Sequence, residues 1–172
     1  MTTASAPTLA AGKWTVDSTR STATFRVGNL GQTVTGTVPI IEGTVDVDAG
    51  GRPTAISASL DLGSIDTGHR RRDRDLRKPS LLDLDRHPTM TFSADAVAGP
   101  AGGWSVTGQL TARGTAVALA GDLELSEADG STTLVGRTWL DRRALGVRAP
   151  RIMIGRRVEI TVSALIRPVD DR

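Results

Sequence analysis

The chain has no cysteine, which removes disulfide staples and thiolate metal sites from consideration. It also has no tyrosine and only two phenylalanines among its 172 residues. His69 and His87 are the whole imidazole complement, so few groups can exchange a proton near neutral pH. There is no G-x-S-x-G elbow, the signature of one large class of serine hydrolases. No segment is apolar enough over its length to span a bilayer as a helix. The opening residues, Met1 to Ala10, have neither a basic start nor an apolar run, so a secretory leader is not evident and a cytoplasmic location is expected. Lysine occurs only at positions 13 and 78, which leaves the positive charge almost wholly to arginine. The formal net charge of +2 is too small to call for a polyanionic partner.

What the chain does have is alternation. Successive side chains of a strand point to opposite faces, so apolar residues at every second position mark a half-buried strand. Ile56, Ala58 and Leu60 alternate with Ser57, Ser59 and Asp61. Met90, Phe92, Ala94 and Ala96 alternate with Thr91, Ser93 and Asp95, and Trp104, Val106 and Leu110 with Ser105, Thr107 and Gln109. Near the end, Val158, Ile160, Val162, Ala164 and Ile166 stand against Glu159, Thr161 and Ser163. Ala23, Phe25 and Val27 form the inner face of an early strand. The stretches 48–53, 99–103 and 128–131 are turns by composition. Short strands at this spacing indicate an antiparallel sandwich or barrel, and periodicity does not choose between them. One domain over residues 12–172 is expected, preceded by a flexible tail at 1–11. The one helical candidate is 69–78, polar except for Leu76 and stopped by Pro79.

The charged clusters carry little chemistry. Arg70, Arg71 and Arg72 are interleaved with Asp73 and Asp75, and no aromatic residue lies among them to stack on bases, which argues against a nucleic-acid surface. His69 and His87 with Asp73, Asp75, Asp83 or Asp85 have the composition of a metal site, but no H-x-H or H-x-x-x-H spacing holds them together. The residues therefore call for no metal and no cofactor. The interior is more informative. An eight-stranded barrel is either filled by its own side chains or able to hold one small ligand. The inward positions are rich in Ala and Val, and Gly108 and Gly121 either leave space or relieve strand curvature. A hollow barrel and a filled one both remain open on this evidence.

The segment from Gly63 to Ser93 holds an ordered set of motifs: Ser64-Ile65-Asp66-Thr67, then Arg72-Asp73 followed by Leu76, then Leu81-Leu82-Asp83, then Pro88 and Phe92. Trp14 to Asp17 with Ser21 to Phe25 comes before it. Gly108 to Thr115, Leu140 to Val147, and Ile154-Gly155 with Val158 come after it. In this order the motifs resemble those of the YceI-like family across roughly residues 12 to 168. The resemblance implies an all-β, antiparallel lipocalin-like barrel of about eight strands, with a short helix near its mouth. It further implies a non-enzymatic protein that binds, stores or carries an amphipathic isoprenoid lipid, either a polyprenyl quinone or a polyprenyl phosphate.

The ligand-lining set expected on that basis is Phe25, Val27, Ile56, Ala58, Leu60, Leu81, Leu82, Met90, Phe92, Trp104, Val106, Leu110, Ile160 and Val162. His69, Arg72 and Asp75 are expected at the mouth. Asp75 stands where the family commonly has His, and Leu81-Leu82 where it commonly has Phe-Phe. A carboxylate at 75 disfavours a phosphate head and points to a neutral one. Two other readings stay open. One is a small-molecule enzyme built on the mouth His and Asp residues. The other is a filled barrel that acts as an interaction module, for which a homodimer is the simplest partner.

Overall fold

Each of the alternating runs is a strand, and the strands close on themselves. A computed structural model describes residues 9–29, 31–100, 103–147 and 156–169. In chain order the strands are β1 (Gly12–Val16), β2 (Thr22–Asn29), β3 (Gln32–Val47), β4 (Pro53–Asp61), β5 (Thr89–Ala98), β6 (Gly103–Ala112), β7 (Thr115–Ala128), β8 (Ser131–Asp141) and β9 (Arg157–Pro168). From β2 to β9 each strand pairs antiparallel with the next, and β9 returns to β2. The result is a closed antiparallel barrel of eight strands. β1 pairs with both β3 and β9 and serves as the lower half of the β2 position, the two halves being parted by the 3₁₀ turn Ser18–Arg20. At that break the backbone is patched by Asp17 N–H to the Leu165 carbonyl, 2.8 Å, and by Leu165 N–H to the Ser21 hydroxyl, 2.9 Å. Closure leaves no long unpaired edge, the usual liability of a β protein.

The topology sorts the connections to two ends. The turns at 48–52, 99–100 and 129–130 lie at the floor. The long connection 62–88, the turn at 113–114 and the residues 142–147 that follow β8 lie at the opposite end, which we call the cap. The helix α1 (Arg70–Asp75) belongs to the cap and is shorter than the 69–78 expected. Its N-terminus is capped by His69, whose Nδ1 accepts from the Arg72 N–H at 3.3 Å. It stops early because the chain then winds through tight turns, with Leu82 N–H on the Leu76 carbonyl and Asp83 N–H on that of Lys78, both 3.0 Å. Those turns lay Leu76, Leu81, Leu82 and Leu84 against the core, a gain that a continued polar helix could not offer.

Of the tail expected at 1–11, residues 1–8 lie outside the described residues, as do the Ile154-Gly155 motif and most of its loop. Leu9 is buried in the floor cluster together with Trp14, whose indole N–H donates to the Ala10 carbonyl at 2.9 Å.

One register differs from simple alternation. β5 pairs Ala94 with Gly108, then Ala96 with Thr107 and Val97 with Val106, so an extra residue is accommodated at Asp95. The inward series therefore passes from Ala94 to Val97, which packs in the floor cluster, instead of continuing through the even positions. Gly108 lies beside this bulge, and a Cβ there would stand 2.1 Å from the Ser93 carbonyl oxygen. Its role is close backbone approach, the strand-curvature option, and it does not line open space. By contrast, a Cβ at Gly136 meets nothing nearer than 3.8 Å. Gly108→Ala is expected to cost about 1–3 kcal/mol through forced backbone shifts. Gly136→Ala is expected to be neutral or to stabilise by up to about 1 kcal/mol through the unfolded chain. The denaturant midpoints of the two variants, compared with the parent, check this pair.

Candidate functional site

The barrel interior is divided into two apolar clusters. The upper one includes Ile40, Leu60, Met90, Leu110, Leu119, Leu140 and Ile160, together with the cap residues Leu62, Leu84, Leu145 and Val147. The lower one forms the floor around Trp14, Val47, Trp104, Leu125 and Ile166. Between them lies a partly open cavity of about 130 Å³; counting all space between its walls, open solvent included, gives about 1020 Å³. The smaller figure approaches that of an engineered apolar cavity of about 150 Å³ that stays dry and admits benzene.

The cavity exists because small residues meet on the walls. Gly121 faces Thr138 across β7–β8, Gly136 faces Leu123, and Ala58 faces Gly43 across β3–β4. Gly121, Gly136 and Ala58 border the cavity, and the backbone near them brings Thr44, Ser57, Asp122 and Arg137 into its lining. Alternation turns the side chains of Asp122 and Arg137 outward, where both are exposed and Arg137 meets Glu124 at 3.5 Å. The lining is almost entirely apolar. Its hydroxyl at Thr138 is already committed to the Ala120 carbonyl at 2.8 Å. This geometry suits a hydrocarbon and gives a charged group nothing to pair with.

Of the residues expected to line a ligand site, Phe25, Ile56, Ala58, Leu60, Met90, Phe92, Val106, Leu110, Ile160 and Val162 border the cavity. Several of them face inward yet remain half-buried, as expected for side chains that look onto a void. Trp104 is buried below the cavity in the floor. Val27 sits higher on β2, opposite Val34 and Val158, outside the lining. Leu81 and Leu82 pack against the upper cluster from the cap. No described residue between Leu60 and Met90 borders the cavity, so His69, Arg72 and Asp75 stand apart from it.

Alternation alone did not lead to Val16, Ile40, Val45, Leu119, Leu123 or Leu134, all of which line the cavity. β7 carried a usable signal, since its odd positions from Val117 to Leu125 are apolar or glycine. Alanines at 116, 118 and 120 on the outer face blur it.

The cap is held by polar bonds of its own. The Asp73 carboxylate accepts from the Thr67 N–H at 3.1 Å and, in a short bond, from the Thr67 hydroxyl. Arg72 grips the same residue, donating through Nε to the hydroxyl at 2.8 Å and through Nη2 to the Thr67 carbonyl at 2.7 Å. Thr67 is thus clamped from both sides, next to the bridge between Asp66 and Thr37 that extends the edge of β3. Asp75 pairs with Lys78 at 3.2 Å, where both are exposed to solvent.

Arg113, at a left-handed φ of 57°, joins the two halves of the cap. It donates to the carbonyls of Leu145 and Gly146 at 3.3 and 3.0 Å, and to that of Pro79. Arg142 is buried and donates to the Val147 carbonyl at 3.0 Å. His87 lies 3.9 Å from Asp83 and packs beside Gly114. Among the described residues no three His, Asp or Glu side chains converge on a point that could hold a metal. No helix among them is long and apolar enough to cross a membrane.

A closed eight-stranded barrel with an apolar hollow and a separate cover is a lipocalin-like binding fold. The chain belongs to the YceI-like domain family, whose model matches residues 14–165. It is similar to a UPF0312 protein of Ectopseudomonas mendocina, 31% identical over 93 residues, which are 52% of this chain and 49% of that protein. The likeness to Protein YceI of Salmonella arizonae has the same identity and length, covering 48% of that protein. The chain spans about half the length of the curated relatives it matches. Among solved structures, BcnA of Burkholderia cenocepacia superposes with a TM-score of 0.79 at 20% identity, covering 88% of this chain and 99% of that one. A polyisoprenoid binding domain from Saccharophagus degradans superposes with a TM-score of 0.67 at 15% identity, covering 91% and 98%.

The cap end also shows a local electrostatic dependence. Asp141 caps the 3₁₀ turn Arg142–Leu145, accepting from the Arg143 N–H at 2.9 Å and from Arg156 at 3.0 Å. These bonds, the backbone one foremost, hold its carboxyl below the ordinary aspartate range. A carboxyl whose folded value is depressed contributes stability that is present above its unfolded value and is lost as pH falls through the folded one. Asp141→Asn should therefore lower the denaturation midpoint at neutral pH, and the gap to the parent should close on acidification below about pH 4. Midpoints measured across that range test the sign.

Proposed function

We propose that this barrel binds an amphipathic isoprenoid lipid without transforming it, the prenyl tail occupying the interior. The observation that carries the reading is the cavity between the two clusters, hydrocarbon-like on nearly every side and free of inward-facing charge. The likeness to a solved polyisoprenoid binding domain supports it at the level of the fold. A resting void of about 130 Å³ is close in size to an apolar cavity that admits benzene. Met90, unbranched and adaptable, lies on the wall where a longer tail needs room.

The head of such a lipid finds no inward-facing cation within the cavity lining. A neutral, quinone-like head is therefore favoured over a phosphate. Catalysis is not part of the reading. His69 spends Nδ1 on capping α1, and His87 lies at the cap, apart from the cavity lining. A buffer or carrier must also release its load, and about 25 buried heavy atoms at about 0.3 kcal/mol each correspond to near-micromolar binding.

Filling the hollow tests this directly. Gly136→Phe and Ala58→Trp should each weaken binding of a fluorescent prenyl quinone by about tenfold or more, with the far-UV circular dichroism unchanged. Undiminished binding in both folded variants would rule out an internal site. Equal affinity of the parent for a prenyl pyrophosphate and a prenyl quinone would overturn the preference for a neutral head.

A further inference from the structure

The barrel is charged unequally along its axis, and the inequality marks one end as a docking surface. In the described segments at the cap end, 61–87, 112–115, 141–147 and 156–157, there are twelve Lys and Arg against seven Asp and Glu. At the floor, Asp46, Asp48, Asp95, Glu124, Glu127 and Asp129 face only Lys13, Arg52 and Arg167. A nearly neutral chain therefore carries about five excess positive charges at one end and about three negative at the other.

Two features distinguish the cap from an ordinary solvated face. The side chains of Arg70, Arg71 and Arg74 on α1 are exposed and, among the described residues, make no ion pair or hydrogen bond. Cations that serve the fold are engaged, as Arg72 and Arg113 are; these three are not. In addition, Trp139 is 52% exposed at the cap rim of β8, two residues from the strand end, while Trp14 and Trp104 are buried at the floor. The Arg157 guanidinium lies over the Trp139 ring at 4.8 Å. An exposed indole beside arginines matches the water–bilayer interface, where the ring sits at headgroup level and the guanidinium meets phosphate.

We propose that the cap end docks on the surface of an anionic phospholipid bilayer, with α1 and the Trp139–Arg157 pair in contact with it. The inference deepens the lipid-binding reading and rests on it for its purpose, since a hydrocarbon cargo must be exchanged with a membrane. The surface itself requires no cargo. Attraction to the cap and repulsion from the acidic floor orient the barrel axis toward the bilayer. The cover over the interior, the non-strand segment 62–88 with 142–147, then faces the lipid.

The experiment uses the purified full chain and extruded vesicles of phosphatidylcholine alone or with three parts in ten phosphatidylglycerol. Cosedimentation with the anionic vesicles only, much reduced by raising salt from about 50 to 500 mM, is the expected result. The variant Arg70→Gln/Arg71→Gln/Arg74→Gln should bind them on the order of a hundredfold less, while its prenyl-quinone binding in solution stays unchanged. Trp139 emission should shift to the blue on binding, a change lost in Trp139→Phe. Equal binding to neutral vesicles, no response to the triple substitution, or tight binding to duplex DNA with no shift of Trp139 would overturn the proposal. Because docking is read on cargo-free protein and prenyl binding without vesicles, failure of one is distinguishable from failure of the other.

Discussion

The structure depends on β3, the long strand that carries the meander from β2 to β4 in the ring that β9 closes against β2. β3 runs for 16 residues and touches three strands: β2 with its first half, β1 with its last residues, and β4 from Ile40 onward. A strand that long stays in a ring only by bending. The bend falls at the register shift between Ile40 and Glu42, where Ile41 is turned out to solvent. Below the shift, Gly43, Val45 and Val47 face inward, and a Cβ at Gly43 would stand 2.7 Å from Val16. The same bend brings the broken strand β1–β2 and the opposing β4 to a common radius. Once the ring is closed, its interior width is set by eight strands, and only side-chain size decides how much of it stays empty.

That emptiness is a collective property. Gly121, Gly136 and Ala58 border it together, and in a different register each would face a different neighbour. Paired across their seams they bare the backbone on two walls and leave a hollow that Phe25, Phe92 and Leu119 do not fill. The polar groups of the cap, in contrast, look to one another: Asp73 and Arg72 to Thr67, Asp141 to Arg143 and Arg156. Grease inside and hydrogen bonding at the end are separate designs, which is why the residues that best match the family's central motif maintain the cover and not the cavity wall.

Much of this is legible in the sequence. Strict alternation gave the inward faces of β4, β6 and β9, because one face of each is solvated and period two is then unambiguous. The seam strands were harder. In β3, Pro39 and the adjacent Ile40 and Ile41 disguise a bulge as a break in pattern. In β5, Asp95 sits where alternation continues smoothly, so nothing in the sequence announces the shift to Val97. The cavity was legible only in part. Ala58 hints at space, whereas Gly108 and Gly121 both serve close backbone approach, a Cβ at 121 standing 2.4 Å from the Arg137 carbonyl oxygen. Arg72 and Asp73 match the family's motif, which suits a structural pair tying the cap, and both do bond Thr67; no motif says where His69 and Asp75 turn.

Arg113 ties the far ends of the cover together through three backbone carbonyls, from a left-handed turn and with a buried Nε that has no partner. Bonds of this kind can part without breaking a strand ladder, so the cover is able to open as a unit of its own while the ring stays intact. On the lipid-binding reading proposed above, this latch bears on how fast the interior exchanges its contents and the walls on how tightly it holds them. The two properties can drift independently, so a loosened latch gives a quicker vessel of the same capacity.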